Sequence, residues 1–294
     1  MTSIFDYSRF GGATLAAALL ASLTAGSVRA AEEHDHMGPQ IARQHWSFGG
    51  LMGRFDNNQL QRGFQVYKDV CASCHGLKRL TFRNLSEPGG PEFDPEGLKN
   101  LAARDYKVTD GPNDQGKMFK RAALPSDAIP SPFSNEQEAR SANNGALPPD
   151  LSVIARARAA EVERPFYTVP FGVLMDVTRG YQEGGADYVY ALLTGYTNPP
   201  ADMKMSEGMH FNTMFPGNQI AMIPPLQDGR VKYQDGSPAT MEQYARDITA
   251  FLAWAADPKL EERKRIGLMV MLYLLITSVL LYFAKRRTWA SIPH

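Results

Sequence analysis

The stretch Cys71-Ala72-Ser73-Cys74-His75 contains both cysteines of this 294-residue chain. If two cysteines and a following histidine were placed at random, this C-x-x-C-H spacing would arise in roughly one sequence in ten thousand. The spacing is therefore a strong signal of chemistry. Two cysteines are too few for a disulfide framework, so an exported form of the chain must be stabilised by its core or by a cofactor.

Three kinds of site use part of this pattern. In c-type haem attachment, two thiols add across the vinyl groups of the porphyrin and the adjacent imidazole binds the iron. A thioredoxin-like redox pair favours a preceding strand, whereas the residues before Cys71 have helical periodicity. A zinc site requires two further ligands at close spacing, and the chain has no other cysteine. We therefore interpret Cys71 and Cys74 as covalent anchors of one haem c, with His75 as an axial ligand.

A second axial ligand would have to come from elsewhere in the chain. Met222 is favoured because Pro216-Gly217 precedes it and Pro224-Pro225 follows it, which prevents a helix and favours an extended backbone. His210 is the alternative ligand. For the remaining methionines, packing in the core is the simpler interpretation. They include Met175, Met203, Met205, Met209 and Met214.

Composition predicts a globular body without affinity for nucleic acid. Hydrophobic residues make up 44% of the chain and charged residues 21%, and 31 basic side chains balance 31 acidic ones. Nucleic-acid-binding domains usually carry an excess of basic residues. Without residues 1–30 and Lys285-Arg286-Arg287, 26 basic and 30 acidic side chains remain, so the body is mildly acidic.

The amino-terminal residues have the order of a secretory signal peptide. Arg9 lies in a polar opening, residues 11–25 are small and apolar, and Val28-Arg29-Ala30 forms a cleavage site. An uncleaved anchor is the alternative, but the run is alanine-rich and short for a span. The sequence therefore predicts a cleaved leader over residues 1–30 and export of the body.

The other end contains a predicted membrane span. Residues 266–284 are 19 residues without a charge, which as a helix would reach about 28 Å. The net charge is +1 over residues 261–265 and +3 over residues 285–287, which favours a cytoplasmic tail. A buried core helix is the alternative. We expect a periplasmic domain over residues 31–265, an anchor over 266–284 and a cytoplasmic tail over 285–294, in a bacterial inner membrane.

Between the ends, the chain reads as mostly α with long loops. Hydrophobic periodicity predicts helices over residues 57–70, with Asp56 as cap, and over residues 240–256. Shorter helices are predicted over residues 95–106, 150–158 and 186–195. No stretch has sustained strand alternation or a repeat. The long connections are rich in Pro and Gly and comprise residues 87–95, 124–133 and 197–225.

A series of short strings, in the same order, closely resembles the cytochrome c1 family. They include Trp46-Ser47-Phe48, Gln59-Leu60-Gln61-Arg62-Gly63-Phe64, the C-x-x-C-H stretch, Gly145-Ala146-Leu147-Pro148-Pro149-Asp150-Leu151-Ser152, Asp187-Tyr188-Val189, Leu192-Leu193-Thr194-Gly195-Tyr196, Phe215-Pro216-Gly217, Pro238-Ala239-Thr240-Met241 and Phe251-Leu252-Ala253-Trp254-Ala255. The resemblance covers nearly the whole chain after the leader. It implies a mostly α, class I cytochrome c-like haem domain with one carboxy-terminal transmembrane helix.

The resemblance also implies roles for individual residues. Met222, in Ile220-Ala221-Met222, matches the family's distal ligand. Arg158 is expected near a haem propionate, with Arg156 as the alternative because residues 159–183 are an insertion that shifts the match. Residues expected to line the haem pocket are Pro148, Pro149, Leu151, Ile154, Tyr188, Leu192, Leu193 and Phe215.

The function implied is that of an electron relay within ubiquinol:cytochrome c oxidoreductase. The expected partners are cytochrome b, a Rieske iron-sulfur protein that supplies the electron, and a soluble cytochrome c that receives it. The subunit alone would catalyse no bond chemistry. The mildly acidic body would attract a basic cytochrome c, either through acidic residues that include Glu87, Glu92, Asp94 and Glu96 or with those residues acting only as solvated surface.

Two other functions remain open at this point. A membrane-tethered cytochrome c that feeds a terminal oxidase would share the haem motif and the anchor, but not the family strings. An exported thiol oxidoreductase or assembly factor without haem would be colourless and would have a titratable dithiol.

Overall fold

A computed structural model describes residues 41–158 and 184–290 of the chain. The predicted leader (1–30), the insertion (159–183) and the last four residues of the predicted tail (291–294) lie outside these ranges. Helices dominate the described part, as the sequence predicts. They are α1 (Asn57–Asp69), α2 (Pro95–Asp105), α3 (Glu136–Ala142), α4 (Ile154–Ala157), α5 (Gly184–Thr194), α6 (Met241–Ala256) and α7 (Leu260–Trp289).

Within residues 41–158 and 184–290, six short strands form three antiparallel pairs that the sequence did not indicate. The pairs are β1 (Leu77–Thr81) with β4 (Ala128–Ile129), β2 (Lys107–Asp110) with β3 (Phe119–Ala122), and β5 (His210–Phe211) with β6 (Gln219–Ile220). Strands of two to five residues are too short to display an alternating pattern. They tie the loops of the domain together without forming a larger sheet.

The close crossing of α1 and α6 forms the centre of the core. The Asp56 carboxylate accepts a hydrogen bond from Gln59 N at 3.1 Å and begins α1, as predicted. Leu60 and Phe64 are buried on the face that meets α6. A Cβ atom on Gly63 would lie 2.2 Å from the backbone oxygen of Asp247. The two helices can therefore approach this closely only because that position has no side chain.

Asp187 fastens α5 to the amino-terminal end of the described chain. Its buried Oδ1 accepts hydrogen bonds from the indole nitrogen of Trp46 at 2.7 Å and from Gln44 N at 3.0 Å. A buried carboxylate requires such donors, since an unpaired one would be costly to desolvate. The contact fixes α5, the helix that contains three of the predicted pocket residues.

The predicted helix over residues 150–158 was too long. Only α4, from Ile154 to Ala157, is helical. Leu151 N donates to the backbone oxygen of Gly76 at 2.9 Å, and Ser152 N donates to the Asp150 carboxylate at 3.0 Å. Val153, with φ −127° and ψ 15°, lies outside the helical region, so the first four predicted residues form a loop.

The helix α7 differs from the rest of the described structure because none of its described residues is buried. It contains the predicted span, and it is the one helix in the described chain that is long and apolar enough to cross a membrane. Several contacts join its first turns to the body. Glu261 Oε1 accepts from Phe55 N at 2.8 Å, and Lys264 Nζ donates to the backbone oxygen of Phe48 at 2.6 Å.

Candidate functional site

We define the proximal segment as residues 71–75 together with the loop over residues 148–152. Helix α1 ends at Asp69 with Val70 as its C-cap, and the chain continues into a 3-10 turn over Cys71–Ser73. His75 N donates to the backbone oxygen of Cys71 at 2.9 Å, so the two cysteines and the histidine share one compact turn. Cys71 packs against the hydrophobic core. Burial raises the pKa of the free Cys71 thiol to about 12.

His75 is held in the tautomer that a metal ligand requires. Its Nδ1 lies 2.7 Å from the backbone oxygen of Pro149. A carbonyl oxygen can only accept, so Nδ1 carries the proton and Nε2 keeps its lone pair. Burial lowers the pKa of His75, with partial opposition from the Pro149 hydrogen bond and from Asp150. The imidazole is therefore neutral and oriented, as iron ligation requires.

Two polar residues that the sequence analysis did not assign to the site fix the loop beside His75. The Asp150 carboxylate accepts from Lys78 N at 2.9 Å, and Ser152 Oγ accepts from Arg79 N at 3.1 Å. Ser152 is fully buried. The available signal was their position after Pro148-Pro149, since Asp and Ser often bind nearby backbone groups at such turns. With these bonds, the carbonyl of Pro149 is positioned for His75.

We define the distal strap as residues 195–222. Met222 is half-buried, and its backbone oxygen accepts a hydrogen bond from the Tyr196 hydroxyl at 3.1 Å. Tyr196 forms an antiparallel bridge with Asn212. The fully buried Asn212 donates from Nδ2 to the backbone oxygen of Leu192 at 2.8 Å. No sequence pattern indicated the role of Asn212, which connects the strap to the end of α5.

The predicted pocket residues divide by exposure. Leu151 and Tyr188 are buried, while Pro149 is exposed. The half-buried ones are Pro148, Ile154, Leu192, Leu193 and Phe215. Apolar side chains left partly exposed are the groups that a large apolar ligand would cover.

The two candidate arginines have different surroundings. Arg156 Nη2 donates to the carboxylate of Asp257 at 2.8 Å, which lies at the end of α6. Arg158 is exposed. Burial raises the pKa of Tyr188, and the positive charge of Arg158 partly offsets this effect. Arg158 therefore lies near a predicted pocket residue, whereas Arg156 is engaged with α6.

His210, the alternative ligand, lies in β5 and is paired in register with Ile220 of β6. Met222 follows Ile220 by two residues. The contacts thus join Pro149 to His75 in the proximal segment, and Met222 to Tyr196 in the distal strap.

The acidic residues named in the sequence analysis have local structural partners. Asp94 caps α2 by accepting from Gly97 N at 2.7 Å, and Glu92 accepts from Gly89 N at 2.8 Å. Glu87 accepts from Asn84 Nδ2 at 3.1 Å, and Glu96 lies 3.7 Å from Lys99 Nζ. Their presence is explained by turns and caps, although the side chains of Asp94 and Glu96 remain exposed to solvent.

Taken as a donor set, the proximal residues fit a covalently bound haem. Two thiols and a neutral imidazole share one turn, and the imidazole keeps Nε2 for a metal. The half-buried apolar side chains named above would offer surface to a porphyrin. When bound, haem supplies one-electron redox chemistry at its iron.

Comparisons with known proteins agree with this chemistry. The model of the Cytochrome C1 family matches residues 46–292. Cytochrome c1 of Rhodospirillum rubrum is 39% identical over 293 residues, covering 94% of this chain and 97% of the relative. Cytochrome c1 of Blastochloris viridis is 44% identical over 249 residues, covering 85% and 86%.

A longer relative also matches. Cytochrome b/c1 of Bradyrhizobium diazoefficiens is 49% identical over 247 residues, which cover 84% of this chain. The matched part spans 35% of that relative's length.

Proposed function

This chain belongs to the cytochrome c1 family of haem c-containing, electron-transferring subunits of the cytochrome bc1 complex, and from that premise we propose the route of one electron through it. The chain receives an electron from a Rieske iron-sulfur protein and passes it to a soluble cytochrome c. The observation that carries this proposal is the C-x-x-C-H turn with His75 Nδ1 bonded to Pro149 at 2.7 Å. Because that bond uses Nδ1, the lone pair of Nε2 stays available to bind the haem iron. Electron transfer through the iron requires no bound substrate.

We assign the covalent bonds of the single haem c to Cys71 and Cys74, and its axial ligands to His75 and Met222. Support for Met222 comes from the non-helical backbone around it and from the hydrogen bond that Tyr196 donates to its carbonyl. A thioether ligand raises the reduction potential of the iron, and two protein ligands leave no open position for oxygen. The site is thus suited to electron transfer.

We further propose that the apolar residues given above line the pocket and that Arg158 meets a propionate. The engagement of Arg156 with Asp257 supports the choice of Arg158. Its position at the carboxyl end of α4 and the effect of its charge on Tyr188 also support this choice. A propionate carboxylate is a suitable partner for a guanidinium group.

The proposed assembly partners are cytochrome b and the Rieske protein. The name of the Bradyrhizobium relative joins cytochrome b and c1 in one protein, which supports cytochrome b as a neighbour. The subunit itself makes and breaks no bond of the quinol. Its residues bind and orient the haem, and its surface meets the two redox partners.

We propose that α7 anchors the chain in a bacterial inner membrane after cleavage of residues 1–30. The haem domain over residues 31–265 faces the periplasm, the span covers residues 266–284, and residues 285–294 are cytoplasmic. The support is the cluster Lys285-Arg286-Arg287 at the carboxyl end of α7, since cytoplasmic flanks carry the excess of Lys and Arg.

The test is purification of the full-length chain from membranes in mild detergent. We expect a c-type haemochrome spectrum, co-purification of a cytochrome b and a Rieske protein, and quinol-dependent reduction of added cytochrome c. The rate with a basic cytochrome c should fall as ionic strength rises, because salt screens long-range attraction.

Other results would select the other functions. Co-purification with a terminal oxidase, and without a cytochrome b, would identify a tethered cytochrome c. A colourless protein with a titratable dithiol would identify a thiol oxidoreductase.

A further inference from the structure

A cavity of about 190 Å³ lies where the body meets the first turns of α7. It is partly open to the surface, and most of its wall is apolar, with contributions from Phe48, Leu51, Phe55, Ala253 and Leu260. Dry apolar cavities of about 150 Å³ are large enough to bind benzene. This cavity therefore has room for part of a hydrocarbon chain.

Positive charge predominates around the cavity. Its charged lining consists of Arg156, Arg263 and Lys264 against the single carboxylate of Asp257. Asp257 accepts hydrogen bonds from both arginines, and so joins α4 to α7. The charges of the described lining residues sum to +2. Glu261, which is not part of the lining, adds a negative charge one turn before Lys264 on the same helix. An anionic group at the rim would be attracted.

The cavity lies at the depth of lipid headgroups. Arg263 precedes Ile266, the first residue of the predicted span, by three residues, or about 4.5 Å along the helix. The headgroup layer extends about 5–8 Å beyond the hydrocarbon on each side of a bilayer. Leu51 at the rim is 58% exposed and its neighbour Met52 is 76% exposed, although both are apolar. Apolar side chains at the level of the lipid headgroups can contact lipid, which explains why Leu51 and Met52 face outward.

We propose that this cavity binds one anionic phospholipid from the body-side leaflet, with the phosphate at Arg263 and Lys264 and the start of an acyl chain against Phe48, Leu51 and Phe55. A lipid is favoured over a protein side chain because the cavity opens beside α7, whose residues from Arg265 to Ile276 are all exposed. The site thus continues the lipid-facing surface of the helix into the domain. This inference rests on the membrane anchor and not on the haem ligands or the redox partners.

The test uses the full-length, haem-loaded chain in detergent, with bound lipid counted by native mass spectrometry during titration with phosphatidylglycerol or phosphatidylcholine. We expect one tightly bound phosphatidylglycerol per chain and weaker binding of phosphatidylcholine. Ala253→Phe fills the cavity, and the double variant Arg263→Gln, Lys264→Gln removes two charges. Each should weaken this phosphatidylglycerol site about tenfold or more.

The matched control removes two charges from the other end of the same helix. Lys285→Gln with Arg286→Gln should leave the site unchanged, and an unaltered haemochrome spectrum in every variant reports that the domain has folded. Equal binding of the two lipids, or unchanged binding in both cavity variants, would overturn the proposal.

A second measurement addresses occupancy in the assembled complex. A photoreactive phenylalanine analogue in place of Leu51 should capture phospholipid. Capture of a neighbouring subunit in place of lipid would show that the cavity is a protein interface and would also overturn the proposal.

Discussion

The proximal segment and the distal strap, which would supply the two axial ligands, are built in different ways. In the proximal segment, both cysteines and His75 fall within five consecutive residues of one turn. In the distal strap, the backbone oxygen of Met222 accepts a hydrogen bond from Tyr196, which lies 26 residues earlier in the chain. Covalent attachment fixes the spacing between thiols and imidazole, so it must be encoded in adjacent residues. A single axial ligand has no such requirement and can be supplied by a loop that the rest of the fold positions.

Removal of the thiols should have the largest effect. In the double variant Cys71→Ala, Cys74→Ala, no thioether bond can form, so we expect loss of essentially all covalently bound haem. Haem staining after denaturing electrophoresis, together with acid-acetone extraction, measures this directly. Ser73→Ala in the same turn is the control and should retain the haem. Stained, non-extractable haem in the double variant would contradict the proximal assignment.

The next largest effect should come from the distal strap. Met222→Leu keeps a similar side-chain volume but removes the sulfur, so the haem should stay attached. The reduction potential should fall on the order of 0.1 V, or the reduced iron should bind carbon monoxide. Potentiometric titration and visible spectroscopy give the readout, and His210→Ala is the matched control. If Met222→Leu behaves as the parent and His210→Ala does not, the ligand is His210.

A third test concerns the packing of α5, the helix that leads directly into the distal strap. A Cβ atom on Gly185 would lie 1.8 Å from the backbone oxygen of Ala155, whereas one on Gly184 would meet nothing within 4 Å. Gly185→Ala should therefore lower the free energy of unfolding by about 1–3 kcal/mol. The neighbouring Gly184→Ala should change it by less than about 1 kcal/mol. Denaturant titration of the haem-loaded chain compares the two, and equal stability would show that α4 and α5 do not require this close approach.

The smallest expected effect tests the single bond that ties Met222 to Tyr196. Tyr196→Phe removes the hydroxyl that donates to the Met222 carbonyl, at a cost of about 0.5–1.5 kcal/mol. We expect this cost to appear as easier displacement of the distal ligand by added imidazole. Tyr282→Phe, in the exposed part of α7, is the control and should have no effect. An unchanged imidazole affinity in Tyr196→Phe would mean that other contacts hold the strap.

Local sequence signals were sufficient for the long helices. Asp56 caps α1, as predicted, and Thr240, the first residue of the second predicted helix, caps α6. The apolar stripe of each helix faces the core, and Pro258 falls between α6 and α7. These features depend on residues within one or two turns of each other, which is why periodicity and capping rules identify them.

The same rules do not identify contacts between residues that are far apart along the chain. The predicted helix over residues 150–158 was wrong over its first four residues, which form a loop in which Leu151 N is bonded to Gly76 O, 75 residues earlier. Asp150, Ser152 and Asn212 bind backbone groups of other segments. The position after Pro148-Pro149 was a local signal for the first two, but no sequence pattern indicated the distant partner of any of the three. Strands of two to five residues are also too short to produce an alternating pattern in the sequence.

The sequence by itself determined the covalent chemistry of this protein, its mostly helical class and its apolar carboxy-terminal helix, because each depends on residues adjacent along the chain. Only the tertiary structure decided which carbonyl orients His75, how Tyr196 and Asn212 hold the strap, and where a cavity opens beside α7. These arrangements depend on backbone groups and surfaces that meet only after packing, and an exposed or buried position is a property of the fold as a whole.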